Sequence, residues 1–548
     1  MELSLASGRE RYTRRVPIVA RAPRGEVSPD LFDRSPEAIA AHLEDAAHYP
    51  GGRAEAVARP RTEADVAAVL DHGQAVLAVG AQSSLTGGAT PTGAIVLSTA
   101  RLSDIGDPVD GRVRVGAGVV LATLQESLAR HGAEFPPVPT YMGATVGGII
   151  ATNAAGAATF KYGTTRDWVL GLTVVLAAGD VIDVMRGEHV LDHTGTFVID
   201  GPGGHRVVPV PTYTMPDVVK RSAGYHAAAG MDVVDLFTGA EGTLGIIVSA
   251  VLKVQPARAG LCYALVPVSD EPQALALVGE LRDRSRETWR TADPNGIDVA
   301  AIEHMDARSL QILREDGADR KYEVAWPESA GILLLIQLEL PPMTQAEAYD
   351  QISSALDDEG PDTPLTRFCR VLDAHGVLED AELALPGDRK RAEQLLGVRE
   401  AVPAGVNARV GRAKRDVDAR IAKTAADMVV PFERFGEMMG IYRDGFARRG
   451  LDVATWGHVS DGNVHPNVLP RSYEDVEAGK AAILEFGEAV ARLGGCPLAE
   501  HGVGRHPVKQ ALLRQLYGDA GIEQMRQVKR ALDPDDRLAP GVLFPASR

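Results

Sequence analysis

The sequence predicts an α+β protein: a glycine-rich, short-stranded half followed by an antiparallel sheet with helices packed on it. Three observations lead there. Three glycine-dense blocks with small polar residues lie among short strands before Pro256. Beyond Pro256, apolar strands alternate with charged amphipathic helices. Late in the chain, Asp461-Gly462 separates two short runs that each carry a histidine, a hairpin signal. At 548 residues the chain has room for two or three domains.

In chain order, Thr62-x-x-Asp65 ahead of Val66, Val69 and Leu70 reads as a capped helix closed by Gly73. A strand over 75–79 runs into the glycine-rich loop 80–88, and a strand over 94–98 follows. Residues 113–115 form a further strand, and a helix over 121–131 ends at Gly132. Ala178-Gly179-Asp180 joins 172–176 and 181–184 as a hairpin, and 243–254 reads as a long apolar strand. In the second half, strands are predicted at 263–266, 332–338, 368–372 and 428–430. Helices are predicted at 272–286, 345–358 and 432–449, with a Ser472-capped helix running to Leu493.

A net charge of -17 argues against nucleic-acid binding and against an anionic membrane surface. Cys262, Cys369 and Cys496 stand far apart with no Cys-x-x-Cys, which excludes thiolate zinc sites and iron–sulfur clusters as expectations. Arg9, Arg11, Arg14 and Arg15 are not followed by the apolar run of a signal peptide. The most apolar stretch, 331–336, is far too short to span a bilayer. The expectation is a cytoplasmic protein, at most peripheral to the inner membrane.

With Asp461-Gly462 as a two-residue turn, Ser460 faces Asn463, Val459 faces Val464 and His458 faces His465. Opposed Cβ atoms lie ~5 Å apart, close enough for both imidazoles to hold one metal ion. Alternation puts Asn467 on the same side as His465. Histidines on a strand pair are otherwise surface or core residues. Glu500-His501, flanked by Gly502 and Gly504, supplies a carboxylate to complete a zinc or manganese site and a second imidazole free to act as a base. In a regular strand these two side chains would point to opposite faces, so the backbone has to bend there.

The loop Gly80-Ala81-Gln82-Ser83-Ser84-Leu85-Thr86-Gly87-Gly88 follows a strand as a phosphate-cradling loop does, but it is neither a Walker loop nor a Rossmann fingerprint. Two more blocks share its texture. One runs from Pro139-Thr140-Tyr141-Met142-Gly143-Ala144-Thr145 through Gly147-Gly148 to Asn153-Ala154-Ala155-Gly156. The other runs from Lys220-Arg221-Ser222-Ala223-Gly224-Tyr225 to Gly239-Ala240-Glu241-Gly242-Thr243-Leu244-Gly245-Ile246. Tight turns account for the glycines but not for the recurring Thr, Asn and Glu; wrapping a long dinucleotide accounts for both.

These blocks resemble the PCMH-type FAD-binding domain of the vanillyl-alcohol oxidase superfamily. With Gly-His-x-x-Asp-Gly-Asn-x-His-x-Asn and Glu-His-Gly-x-Gly, the whole set is similar to its D-2-hydroxyacid dehydrogenase branch. Arg399-Glu400 and the closing Leu532-Asp533-Pro534 to Pro540-Gly541 match as well. The resemblance implies an N-terminal segment (1–50), a two-subdomain FAD-binding domain (51–257), an α+β substrate or cap domain with the metal site (258–500), and C-terminal helices packing back on the FAD domain (501–548). It assigns Gly80, Ala81, Gln82, Ser83, Ser84, Leu85 and Thr86 to the FAD pyrophosphate. Pro139, Thr140, Gly143, Thr145, Gly148, Thr152, Asn153 and Ala155 fall to the flavin and ribityl chain, and Glu241, Gly242, Thr243, Gly245, Ile246 and Ile247 to the adenine side. His458, His465 and Glu500 become the metal ligands, Asn467 and Arg399 the substrate contacts, and His501 the catalytic base.

The implied reaction is oxidation of a D-2-hydroxy acid to the 2-oxo acid, with hydride transfer to flavin N5 and a divalent metal, zinc or manganese, assisting. The electron acceptor would be a quinone, a cytochrome or an electron-transfer flavoprotein, and a homodimer is compatible. The pyrophosphate loop lacks a histidine, so FAD is expected to be held non-covalently. Pro403 and Ala425 stand where the hydroxyglutarate enzyme resembles Thr and Lys, which favours a monocarboxylate such as D-lactate unless Lys423 substitutes. Ala539 replaces the usual Asn before Pro540-Gly541. The runner-up is a redox-neutral flavin-dependent transferase like alkylglycerone-phosphate synthase. As a further alternative, Arg399 is a solvated helix residue.

Overall fold

The computed structural model describes residues 17–137 and 139–545; Arg9, Arg11, Arg14 and Arg15 lie outside them. The first half contains two four-stranded sheets of different build. In one, Thr92–Ser98 lies between Arg53–Ala58 and Val76–Val79, parallel to both, and Phe32–Asp33 adds an antiparallel edge. The helix Glu63–Asp71 starts at the reciprocal Thr62/Asp65 capping box and buries Val66, Val69 and Leu70 against this sheet. The other sheet is antiparallel, in the order Arg112–Gly116, Ile246–Lys253, Val169–Val175, Val181–Met185. The chain's end returns to the first sheet. Val76 N–H donates to Arg537 O and Ala539 N–H donates to Val76 O, so Leu538 lies parallel to Val76 at the sheet edge.

The second half is built on a seven-stranded sheet in which every pairing is antiparallel. Its order is Glu382–Ala384, Gly260–Val268, Ile332–Leu340, Val299–Met305, Val453–His458, Asn463–Val468, Met428–Val429. Both faces are covered. Leu334, Ile336 and Leu338 share a core with Leu277, Leu281, Phe368 and Leu372 of the helices Glu271–Thr291 and Pro364–Ala374. Leu333 and Leu335 share another with Leu310, Leu313, Leu395, Val398 and Val402 of Ala307–Glu315 and Arg389–Asp416. Burial on both faces explains the unbroken apolar run at 332–336 within Ile332–Leu340. The α+β expectation holds. Among the described residues, no helix is long and apolar enough to cross a membrane.

Two local expectations are corrected. Residues 368–372 are helical, part of Pro364–Ala374: Thr363 accepts from the Thr366 N–H, Pro364 presets the first turn, and Leu365, Phe368, Cys369 and Leu372 form a buried stripe. The histidine hairpin is offset by two residues. Trp456 pairs with His465 and His458 with Asn463, because Val459–Asp461 forms a 3-10 turn and Gly462 closes it at φ 79°. Asp461 is not an exposed turn tip; it is drawn inward to Lys220 Nζ, 3.1 Å away. A shift of two keeps every side chain on its face, so His458 and His465 become diagonal neighbours with ring centroids 5.6 Å apart.

Because Leu538 is 1% exposed within the core of the first sheet, Leu538→Ala is expected to cost about 2–5 kcal/mol in urea unfolding. A cost below about 1 kcal/mol would show that the returning tail does not support that sheet.

Candidate active site

The strand register assembles the site on one face of the seven-stranded sheet. Glu303 is the direct cross-strand partner of His458, and Trp456 of His465. Glu303 Oε1 lies 2.7 Å from His458 Nδ1, while Arg399 reaches Glu303 Oε2 from the helix Arg389–Asp416 through Nε at 3.0 Å and Nη2 at 2.9 Å. Arg399 is therefore not a solvated residue. It follows Val398 on the helix face that covers the sheet and is 7% exposed.

The chain at 500–504 brings in the remaining groups by avoiding the strand geometry that would separate them. Asp427 Oδ2 accepts from the backbone N–H of both Glu500 (3.1 Å) and His501 (2.9 Å). Glu241 accepts from Val503 N–H (2.8 Å) and Gly504 N–H (2.9 Å). Gly504, at φ 57°, approaches so closely that a Cβ there would strike Thr86. The bend presents Glu500 and His501 to one cavity.

Three imidazoles now converge. The Nε2 atoms of His458, His465 and His501 lie 3.5, 3.1 and 3.6 Å from Glu500 Oε1. Donors around a tetrahedral zinc ion lie ~3.3 Å apart; ligand atoms of His465, Glu500 and His501 all lie within 4.8 Å of one another, in a group that does not include His458. Behind each ring stands a carboxylate on the Nδ1 side: Glu303 for His458, Asp427 for His465 (3.5 Å) and for His501 (2.8 Å). At His458 this is a hydrogen bond to Glu303 Oε1, whereas His465 Nδ1 makes no hydrogen bond. Asp427 belongs to the compact donor group with His465, Glu500 and His501. Its Oδ2 accepts from two backbone N–H groups and lies 2.8 Å from the His501 ring, while Oδ1 lies 3.5 Å from His465 Nδ1.

The charges follow from these contacts. Burial opposes a charge on His458, but Glu303 and Glu500 outweigh it and raise the imidazole to about 9. Burial dominates at His465 and pushes it down to about 4. Burial would raise the carboxyls of Glu500 and Asp427, yet Lys220 and His458 hold Glu500 well below the usual carboxylate range, and His501 and Lys509 do the same for Asp427.

A cavity of about 330 Å³ runs from the glycine-rich blocks to this cluster. Its wall includes Gly80, Ala81, Gln82, Ser83, Ser84, Leu85, Pro139, Thr140, Thr145, Gly148, Thr152, Ala155, Glu241, Gly242, Gly245, Ile246 and Ile247 at one end, and His458, Glu500 and His501 at the other. Gln82 adopts φ 51° and ties the loop down by donating to the carbonyls of His42 and Ala89. Four residues expected at the cofactor lie behind the wall. Thr86 is buried against Ser84, Asn153 accepts from Arg166 N–H, Thr243 donates to Ala240 O, and Gly143 packs beside the Tyr141 ring. His465, Asn467 and Arg399 also stand behind it. Asn467 donates to His465 O at 2.8 Å, and its Oδ1 is buried without a hydrogen-bond partner.

The sequence reading missed Glu303, Asp427 and the role of Lys220. Glu303 and Asp427 are acidic residues set inside otherwise apolar runs, and that was the available signal.

Glu303 carries a directly testable load. Burial would raise its carboxyl, but Arg399 and His458 outweigh this and hold it far below the ordinary range. Its folded value is below the unfolded one, so the stabilisation is present at neutral pH and fades as pH falls below about 4.3. Glu303→Gln leaves buried Arg399 with only the half-exposed Glu400, 3.6 Å away, as a partner among the described residues, and is expected to cost about 3–5 kcal/mol at pH 7 by urea denaturation. An unchanged unfolding midpoint would contradict the assignment.

Comparison with known proteins agrees with this geometry. Residues 54–185 match the FAD binding domain family, and residues 270–543 match the C-terminal domain of FAD linked oxidases. The chain is similar to glycolate oxidase subunit GlcD of Bacillus subtilis, 28% identical over 532 residues, covering 94% of each chain. It is also similar to D-lactate dehydrogenase of Archaeoglobus fulgidus, 28% identical and covering 88% of this chain and 90% of that one. D-2-hydroxyglutarate dehydrogenase of Xanthomonas citri is 27% identical, with 89% of each chain covered. Among solved structures, an alkyldihydroxyacetonephosphate synthase shares the fold at TM-score 0.59 and 14% identity, covering 93% of this chain and 82% of that one. A cavity lined by the glycine blocks of an FAD binding domain, followed by the matching C-terminal domain, places the chain in the FAD-linked oxidase family as an FAD-dependent oxidoreductase.

Proposed function

We propose that the protein oxidises a small D-2-hydroxy acid, with D-lactate the leading candidate, to the corresponding 2-oxo acid. The observation that carries this reading is the single cavity bounded by the glycine-rich blocks at one end and by His458, Glu500 and His501 at the other. The names of the relatives, which refer to glycolate, D-lactate and D-2-hydroxyglutarate, share a 2-hydroxy acid group.

Non-covalently held FAD supplies the hydride acceptor, and a divalent cation held by His458, His465 and Glu500, zinc or manganese, supplies the Lewis acidity that makes a hydroxyl easier to deprotonate. His501 takes the hydroxyl proton at Nε2, the nitrogen left bare because Nδ1 faces Asp427 at 2.8 Å. Asn467, behind the cavity wall, keeps a buried Oδ1 without a hydrogen-bond partner, which would be available to the substrate if the wall admits it. Arg399 is fixed by Glu303 through Nε and Nη2, and Nη1, whose one ion pair is Glu400 at 3.6 Å, remains to hold the substrate carboxylate. Positioning of this kind sets the α-hydrogen in line for transfer. Pro403 follows Arg399 by one helical turn and Ala425 bridges Asn467, so neither adjacent position offers a polar group to a second carboxylate. Lys423 on the same segment is exposed. This favours a monocarboxylate.

Anaerobic addition of D-lactate to the FAD-loaded protein is expected to bleach the flavin stoichiometrically. No bleaching by any acid in a panel of D-2-hydroxy acids would overturn the reading. His501→Ala is expected to slow flavin reduction about 10²–10⁴-fold with FAD content unchanged; a wild-type rate would remove His501 from the role of base. Since His458 sits at about 9 without metal, zinc uptake at pH 7.5 displaces about one proton per ion from it. Calorimetry in two buffers of different ionisation enthalpy reads that number, and zero protons would contradict ligation by His458.

A further inference from the structure

We infer that Lys220 is the positioning residue that fixes Glu500 as a ligand through one oxygen; this rests on the metal reading above. Lys220 comes from the first half of the chain, at the head of the 220–225 block, and is fully buried. Its block runs beside the segment that leads into Glu500, with Ser222 N–H donating to the carbonyls of Leu498 and Ala499. An ammonium group has three N–H donors. Nζ donates one hydrogen bond, to Asn463 Oδ1 at 3.3 Å, and lies at ion-pair distance from Glu500 Oε2 (2.9 Å) and Asp461 Oδ2 (3.1 Å), neither of which has a hydrogen-bond partner. Asn463 is oriented for this by donating from Nδ2 to Met428 O.

The consequence falls on Glu500. Oε2 is paired in charge with Lys220 at 2.9 Å, and Oε1 lies 3.1–3.6 Å from the three imidazole nitrogens. A carboxylate without that tether could rotate, or offer both oxygens to the ion, and would lose its registry with His458 and His465. Asp461 makes sense in the same arrangement. It is buried and forms an ion pair with Lys220. Lys220 does not line the cavity; its contact with the cluster is through Glu500 Oε2, and its charge also opposes a proton on His458. The first half of the chain thus supplies an outer-shell part of a cluster whose ligands all lie in the second half.

The test measures zinc affinity of the FAD-loaded protein by competition with a chromophoric chelator, normalised to bound flavin. Lys220→Met is expected to weaken zinc binding about 10–100-fold. Removing the cation alone strands Asp461 as a buried charge, so the double variant Lys220→Met/Asp461→Asn, which removes one charge of each sign, carries the same measurement with the balance kept. It is expected to lose affinity to the same degree. Wild-type affinity in the folded variants would overturn the role of Lys220 and leave the metal reading standing. Failure of the wild-type protein to bind zinc or manganese would overturn the metal reading and this inference with it.

Discussion

The site depends on how two buried carboxylates hold the backbone at 500–504. Asp427 takes the N–H groups of Glu500 and His501, and Glu241 takes those of Val503 and Gly504. A regular strand here would have sent Glu500 and His501 to opposite sides. Captured N–H groups replace the ladder a strand would have used, so the bend leaves these backbone donors satisfied. The two clamps also come from different halves of the chain. Glu241 is in the wall of the cofactor cavity, and Asp427 is beside the seven-stranded sheet, so one short segment ties the flavin side to the histidine side.

Around that segment the electrostatics form one connected system. Arg399 neutralises Glu303, Glu303 orients His458, and His458 faces Glu500; Lys220 holds the far side of Glu500, while Asp427 backs both His465 and His501. Each of these groups would be costly to bury alone. Without a metal, a proton on His458 balances part of the negative charge.

Much of the plan was legible in the sequence. The capping box at Thr62, the change of texture after Pro256 and the histidine faces all follow from local periodicity. The hairpin register was off by two residues, yet the faces survived because strand side chains repeat with period two. The helix at Pro364–Ala374 was read as a strand because five consecutive residues, mostly apolar, fit either form; the Thr363 cap decides it. What could not be read was the supporting shell. Glu303 lies 155 residues from His458 and meets it only through sheet register. Asp427 and Lys220 acquire their roles from chain returns that no local pattern encodes. Arg399 was within reach, since Leu395, Val398 and Val402 mark the buried face of its helix.

Likeness of fold to alkyldihydroxyacetonephosphate synthase does not choose between oxidation and a redox-neutral reaction, because a fold hosts many chemistries. The match to the FAD-linked oxidase family and its oxidoreductase relatives makes the choice. The central claim is that cofactor and cluster form one site, and anomalous diffraction at the zinc edge from crystals loaded with FAD and zinc tests it most directly. The account predicts a peak ~2.0–2.2 Å from His458 Nε2, His465 Nε2 and Glu500 Oε1, with the flavin ring in the same cavity. A peak elsewhere, no peak, or a flavin ring outside that cavity would contradict it.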